Sequence, residues 1–419
     1  MRKLTLATVA ATSALALVLT GCSTKASGGD GGGGEGDVKT DVGVTDDTIT
    51  LLALNDLSGV FKVISLAYDH GINIWVDQVN ADGGICGREI KIDLQDSAYK
   101  VDNALPLYEQ EKSNVLGAIS IGGSHIIAAL KQKIISDNLP TIPAAWASVN
   151  LDAPQLLMIG QTYDVEMING LSWMSDQGMI AEGDTIGHVY VDSEYGQNAL
   201  LGSKGFAEEN GMTVTEAKIA STDTDMTAIV TKMKADGVKA IAVTTPPAAL
   251  GSIALQNQAQ GLNVPMIGSN PVFAPTLLED PGVTAALKNY YQVTSYAPIG
   301  SEVPAAQELL GKLQEITDEQ PNIGTSQGYV WGLAWQELLQ TACDNGDLTR
   351  AGIMEAMSQV DALETNGLTG TLSFATEGTP TTREAFIVAP DPNVPGGLTV
   401  MQGLFESEAA KKYKTPYEK

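Results

Sequence analysis

From residue 45 onward, short apolar runs alternate with stretches in which apolar residues recur every three or four positions. Residues 48–54 read as a strand. Residues 65–80 carry Ile72, Trp75, Val76 and Val79, the i, i+3, i+4, i+7 spacing of one helix face. Residues 89–95 place Ile90, Ile92 and Leu94 at the strand period of two. A helix over 101–114, a strand over 115–121, a helix opening at Ser124 with Ile127, Leu130 and Ile134 on one face, and a short strand at 139–143 complete a first cycle. A second cycle predicts helices at 165–177, 197–210 and 249–260, a further helical stripe through Met226, Ile229, Val230 and Met233, and strands at 185–191, 212–219, 238–244 and 264–268. Such alternation predicts parallel sheets covered by helices on both faces. Later the pattern shifts to helices at 304–316, 326–342 and 349–360 and strands at 367–374 and 385–389. These late elements must complete lobes already begun, so the chain is expected to cross between two lobes more than once. In such folds ligands lie beyond the carboxyl ends of the strands, and a cleft between lobes favours a small molecule.

The first residues follow a different pattern. Arg2 and Lys3 precede an uncharged apolar stretch over 4–20, and Leu19-Thr20-Gly21-Cys22 follows. This is the layout of a secretory signal over 1–21, too short and too early for a spanning helix. Its end resembles a bacterial lipobox, in which Cys22 becomes the lipid-modified first residue; an ordinary signal with a chance cysteine is the alternative. Residues 22–44 are expected to form a flexible tether, rich in Gly, Ser and Asp over 23–40. No later segment has about 18 uninterrupted apolar residues, so the expected attachment is extracytoplasmic, at the outer face of the cytoplasmic membrane and through lipid alone. In that oxidising setting Cys86 and Cys343 are either a disulfide or two separate buried thiols.

Composition narrows the partners. The chain has 419 residues, 24 Lys+Arg against 50 Asp+Glu, and a net charge of −26; removing 1–21 makes it −28. That excess argues against nucleic acid and against electrostatic docking on an anionic membrane. The three histidines, His70, His125 and His188, fall on separate elements, and no His/Cys cluster has zinc spacing. Neither a G-x-S-x-G elbow nor a G-x-x-x-x-G-K-[ST] loop occurs. No catalytic role, metal or cofactor is expected.

The segments Leu57-Ser58-Gly59, Gly71-Ile72-Asn73, 80–88 (NADGGICGR), Asp96 with Asp102-Asn103-Ala104, Asp192-Ser193-Glu194-Tyr195-Gly196, Thr224-Asp225-Met226-Thr227 and Gln260-Gly261-Leu262 occur in an order and spacing that resembles one family. It is the type I periplasmic binding proteins, in particular the branched-chain amino-acid-binding proteins of ABC transporters. The resemblance implies an α/β fold of two doubly wound, Rossmann-like lobes around a hinged cleft. Three crossovers are expected near 160–163, 293–298 and 376–380. Lobe 1 would comprise 45–160 plus 296–377, lobe 2 161–295 plus 378–407, and 408–419 a C-terminal tail. A small-molecule ligand, an ABC permease as partner and a monomeric state follow from it.

Gly122-Gly123-Ser124 lies between a predicted strand and helix. Glycines let a backbone approach a ligand, and a helix N-terminus receives a carboxylate; as a plain helix cap, Ser124 would bind nothing. By the resemblance Ser124 holds the ligand carboxylate, Ala145 offers a carbonyl and Ser148 a hydroxyl. Trp146 forms an apolar wall or packs inside the lobe, Tyr195 closes from the second lobe, and Tyr329 lines the side-chain end. Two positions depart from the family. Asn270 stands where an acid pairs the ligand ammonium, and Thr245-Pro246-Pro247 where an aromatic is expected. Burying an ammonium without a carboxylate is costly, so amides and acids lacking the amine join branched-chain amino acids as candidates, unless Asp164 or Asp192 replaces the lost charge. The expected function is delivery of a small carboxylate-bearing solute to an ABC importer; a ligand sensor for a signalling partner, or an exported hydrolase, are the alternatives.

Overall fold

A computed structural model describes residues 38–418; the expected signal peptide, Cys22 and most of the tether lie outside the described residues. The last residues of the expected tether are part of the fold. Strand β1 (Lys39–Thr40) pairs in parallel with β11 (Asp347–Leu348), reinforced by Lys39 Nζ to Asp347 at 3.0 Å.

The first lobe is built on β2 (Thr48–Asn55), β3 (Glu89–Asp96), β4 (Gly117–Gly122) and β5 (Thr141–Ala144), parallel in the order β3-β2-β4-β5. All of β4 is buried, as expected when helices cover both faces. Those helices are α1 (Lys62–Ala81), α2 (Val101–Glu111) and α3 (Ser124–Ser136), joined later in the chain by α9 (Pro304–Ile316), α10 (Ile323–Asp344) and α11 (Arg350–Met357). Helices α1 and α10 pack backbone to backbone; a Cβ on Gly71 would collide with Thr325 O, and one on Gly328 with Tyr68 O. Cys86, in the α1–β3 turn, is disulfide-bonded to Cys343 near the end of α10, with a Cα–Cα distance of 6.2 Å.

The second lobe carries seven strands. β6 (Thr185–Val191), β7 (Thr213–Ile219), β8 (Ala240–Thr244), β9 (Met266–Gly268) and β10 (Tyr290–Thr294) are parallel, in the order β10-β9-β8-β6-β7. Helices α4 (Tyr163–Asp176), α5 (Glu194–Glu209), α6 (Thr227–Ala235), α7 (Pro247–Ala259) and α8 (Pro281–Ala286) connect them. The expected parallel sheet gains an antiparallel edge, where β12 (Ala385–Pro390) pairs antiparallel with β10 and β13 (Leu398–Phe405) antiparallel with β12.

The chain passes between the sheets three times: after β5, after β10, and between α11 and β12. The strand expected over 367–374 is instead a bridge between Leu363 and Leu372 around a tight turn, in which Thr365 Oγ1 accepts from Thr369 N (2.9 Å). The expected C-terminal tail is partly helical and anchored. Helix α12 (Glu408–Lys412) is capped by Ser407, Arg383 donates to Ala410 O (2.7 Å) and Tyr413 O (3.1 Å), and Thr415 Oγ1 donates to Gly378 O (3.2 Å).

Candidate functional site

Strand β4 ends at Gly122 and α3 starts at Ser124, which leaves one residue for the elbow. Gly123 makes it at φ +103°, a conformation that L side chains rarely adopt. The cap position therefore belongs to Gly123, and Ser124 Oγ caps nothing. Ser124 is 2% exposed and its hydroxyl has no hydrogen-bond partner, which is uncommon for a buried polar group. At the start of α3, Ile126 N and Ile127 N already donate to Gly123 O (3.0 and 2.9 Å), while the N–H groups of Ser124 and His125 have no acceptor further back in the helix.

Gly122, Gly123 and Ser124 border a small, partly open cavity of about 30 Å³. Six aromatic residues line it: Phe61, Tyr68, Tyr99, Trp146, Tyr163 and Tyr195. The first four come from the first lobe and its following loop; Tyr163 and Tyr195 start α4 and α5 of the second. Tyr195 is fixed by its hydroxyl at 2.6 Å from Ser269 Oγ and by its ring, 4.5 Å from that of Tyr163. Trp146 donates through Nε1 to Ile159 O (2.6 Å), the same carbonyl that receives the Tyr296 hydroxyl (2.7 Å). The indole thus presents a flat wall whose only donor is already used. No Lys or Arg lines this cavity, and its one carboxylate, Asp56, accepts from Gly59 N (2.5 Å) and Phe61 N (2.8 Å).

Behind the tyrosines lies an acid that sequence reasoning missed. Glu166, in the first turn of α4, is buried and accepts from Asn270 N at 3.3 Å. Burial pushes its carboxyl well above the usual range. Its signal was an acid flanked by Val165 and Met167 in a helix buried on every side. Asn270 itself does not line the cavity, whereas Pro271 does. Its Oδ1 accepts from Thr294 Oγ1 (2.9 Å), while its Nδ2 has no partner.

The remaining expected site residues go elsewhere. Ala145 is buried beside the lining Ala144 and does not line the cavity. Ser148 is corrected from a ligand hydroxyl to a structural one. Its Oγ donates to Asp164 Oδ2 (2.7 Å) and accepts from Asn198 Nδ2 (2.6 Å). Tyr329 is corrected to a separate pocket of about 70 Å³ with Leu309 and Leu333. Neither substitute acid reaches the cleft: Asp164 is held by Ser148, Thr162, Asn198 and Tyr413, and Asp192 pairs with Lys218 at 2.9 Å. The histidines do not converge. His125 packs edge-on against Tyr99 and His70 lies 3.8 Å from Glu319, while burial pushes His188, bonded to Thr244 Oγ1, down to about 3.

A larger groove, about 820 Å³, lies between residues 151–158, α11 and residues 373–381. It contains none of the expected ligand residues. The small cavity is the better candidate because an unpartnered hydroxyl, a helix start and residues of both lobes meet there.

Residues 48–393 match the sequence pattern of the periplasmic binding proteins. The chain belongs to the periplasmic binding protein family. This binding protein is 35% identical to a fatty acid ABC transporter substrate-binding protein from Thermomonospora curvata, with a TM-score of 0.88, covering 90% of this chain and 97% of that one. It shares its fold with a branched-chain amino acid ABC transporter protein from Thermus thermophilus with bound valine (15% identity, TM-score 0.77, covering 88% and 99%). The same holds for a leucine-binding protein from Thermotoga maritima (16% identity, TM-score 0.73, covering 85% and 99%). The two-lobed, type I architecture is that of ABC-transporter substrate-binding proteins.

Proposed function

We propose that this binding protein is an extracytoplasmic, lipid-anchored carrier that delivers a small, amine-free carboxylic acid to an ABC importer. The observation that carries the reading is Ser124: a buried, unpartnered hydroxyl at a helix N-terminus, where a carboxylate is stabilised by the hydroxyl, the first N–H groups and the helix dipole. The absence of an amine follows from the acids around it. Asp56 is taken up by backbone donors and Glu166 is held toward its neutral form behind the rings, so an ammonium would be desolvated without compensation. Six aromatic walls suit an apolar tail. The name of the 35%-identical relative, a fatty acid binder, supports a carboxylate without an amine.

Calorimetry on the mature protein with isovalerate and L-leucine tests this. Isovalerate is expected to bind and leucine to bind more weakly; tighter binding of leucine would overturn the amine-free reading. The anchor is tested separately: Cys22→Ser should move the protein from the membrane fraction to the medium, and an unchanged distribution would exclude it.

A further inference from the structure

Beside the cavity, two consecutive non-glycine residues occupy the left-handed region: Ala98 at φ +48° and Tyr99 at φ +57°. Such a conformation is unfavourable and persists only where surrounding contacts determine it. Those contacts are present. Asp96 Oδ1 accepts from Leu57 N (2.9 Å) and Ala98 N (2.8 Å), and its Oδ2 accepts from Ser58 Oγ (2.7 Å). Tyr99 N donates to Ser97 Oγ (3.3 Å), and His125 Nε2 lies 3.1 Å from Tyr99 O.

The outcome of the strained turn is the position of one ring. Tyr99 stands 5.0 Å from the Phe61 ring and 4.4 Å, edge-on, from His125. It covers Gly123 so closely that a Cβ there would lie 3.0 Å from Tyr99 Cε2. The ring therefore borders the end of the cavity formed by Gly123 and Ser124, where a carboxylate would sit in the proposed function. An atom attached next to that carboxylate would face it.

We propose that Tyr99 is a specificity-determining residue that excludes solutes substituted at the carbon adjoining the carboxylate. The proposal rests on the carboxylate reading of Ser124 but is steric and independent of charge, so it applies to a neutral methyl or hydroxyl as much as to an amine. Isovalerate and 2-methylbutanoate are isomers that differ only in where the methyl branch sits, and calorimetry with this pair is the test. The wild type is expected to prefer isovalerate by about tenfold, the scale on which one misplaced carbon is discriminated in a packed pocket. Tyr99→Ala should erase that preference, and Tyr99→Phe should keep it. A residue with a structural role alone would lower the Tm on truncation and leave the ratio of the two affinities unmoved. Equal binding of the isomers by the wild type, or a preference unchanged in Tyr99→Ala, overturns the role of Tyr99 while leaving the carboxylate reading intact. If neither acid binds the wild type, the carboxylate reading fails and this inference fails with it.

Discussion

The cleft and the hinge of this binding protein use the same residue types in opposite ways. Ser124 and Ser148 are both buried serines that follow neighbouring first-lobe strands. At the cleft, Ser124 Oγ has no partner, and neither has Asn270 Nδ2 just behind the lining Pro271. In the hinge region most donors and acceptors are interlocked, although Gln161 Nε2 has no partner. Ser148, Asn198 and Tyr413 converge on Asp164 Oδ2, Gln161 N donates to Ser295 Oγ (3.0 Å), and Gly160 N donates to Thr381 Oγ1 (2.9 Å). A buried group left unpaired lowers stability, and one that is paired holds the structure together. In the proposed reading, the difference separates the part of the molecule that receives a ligand from the part that fixes how the lobes meet.

Breaking the hinge side should have the largest destabilising effect. Asp164→Ala leaves several buried donors without an acceptor, and urea unfolding should show a loss of about 3 kcal/mol. A loss confined to ligand affinity would contradict the contrast. On the cleft side, Ser124→Ala should weaken binding of isovalerate by about 10- to 100-fold, the value of a hydrogen bond to a charged group, without lowering the Tm of the free protein. A drop in Tm with unchanged affinity would move Ser124 to the structural side.

Asp69 sharpens the comparison through pH. It receives Asn55 Nδ2 at 2.8 Å, its other oxygen is unpartnered, and burial pushes its pKa up from 3.8 to about 7. The folded state therefore binds this proton more tightly than the unfolded chain. The stability that the protonated acid contributes is full below about pH 4 and is lost as pH rises through about 7. Asp69→Asn, which stays neutral, should gain several kcal/mol, up to about 4, over wild type at pH 8 and little at pH 4; an equal difference at both pH values would refute the assignment. The smallest effect is expected at the third crossing. Thr381→Val removes the acceptor for Gly160 N and the donor to Met158 O, and unfolding should register about 1 kcal/mol, with isovalerate affinity unchanged.

Regular periodicity was legible from sequence. The strand expected at 185–191 and the helix at 304–316 have those bounds in the structure, because each is set by a local repeat of apolar positions that must face a core. Where the repeat is short or one-sided it gives no clear signal: β10 ends inside the crossover expected near 293–298, β13 has three exposed central residues that hide its strand period, and 367–374 is a turn dominated by Thr and Gly. The glycine elbow was legible because it sits between a strand and a helix, and Tyr195, expected from the family resemblance, does border the same cavity. Ser148 and Tyr329 could not be placed, since a serine near a strand end looks the same whether its partner is a ligand or Asp164, and a helical tyrosine does not show which side its helix buries.

The sequence by itself determined two α/β lobes, a chain that crosses between them, and a glycine–serine elbow at a helix start. These depend on spacing along the chain. The tertiary structure decided which hydroxyl remains unpartnered, that Glu166 lies beside Asn270, and that Tyr99 covers Gly123. Each of those is a contact between segments distant in sequence, and hydrogen-bond partners and burial, which set whether a group binds a ligand or holds the fold, exist only once those segments are packed together.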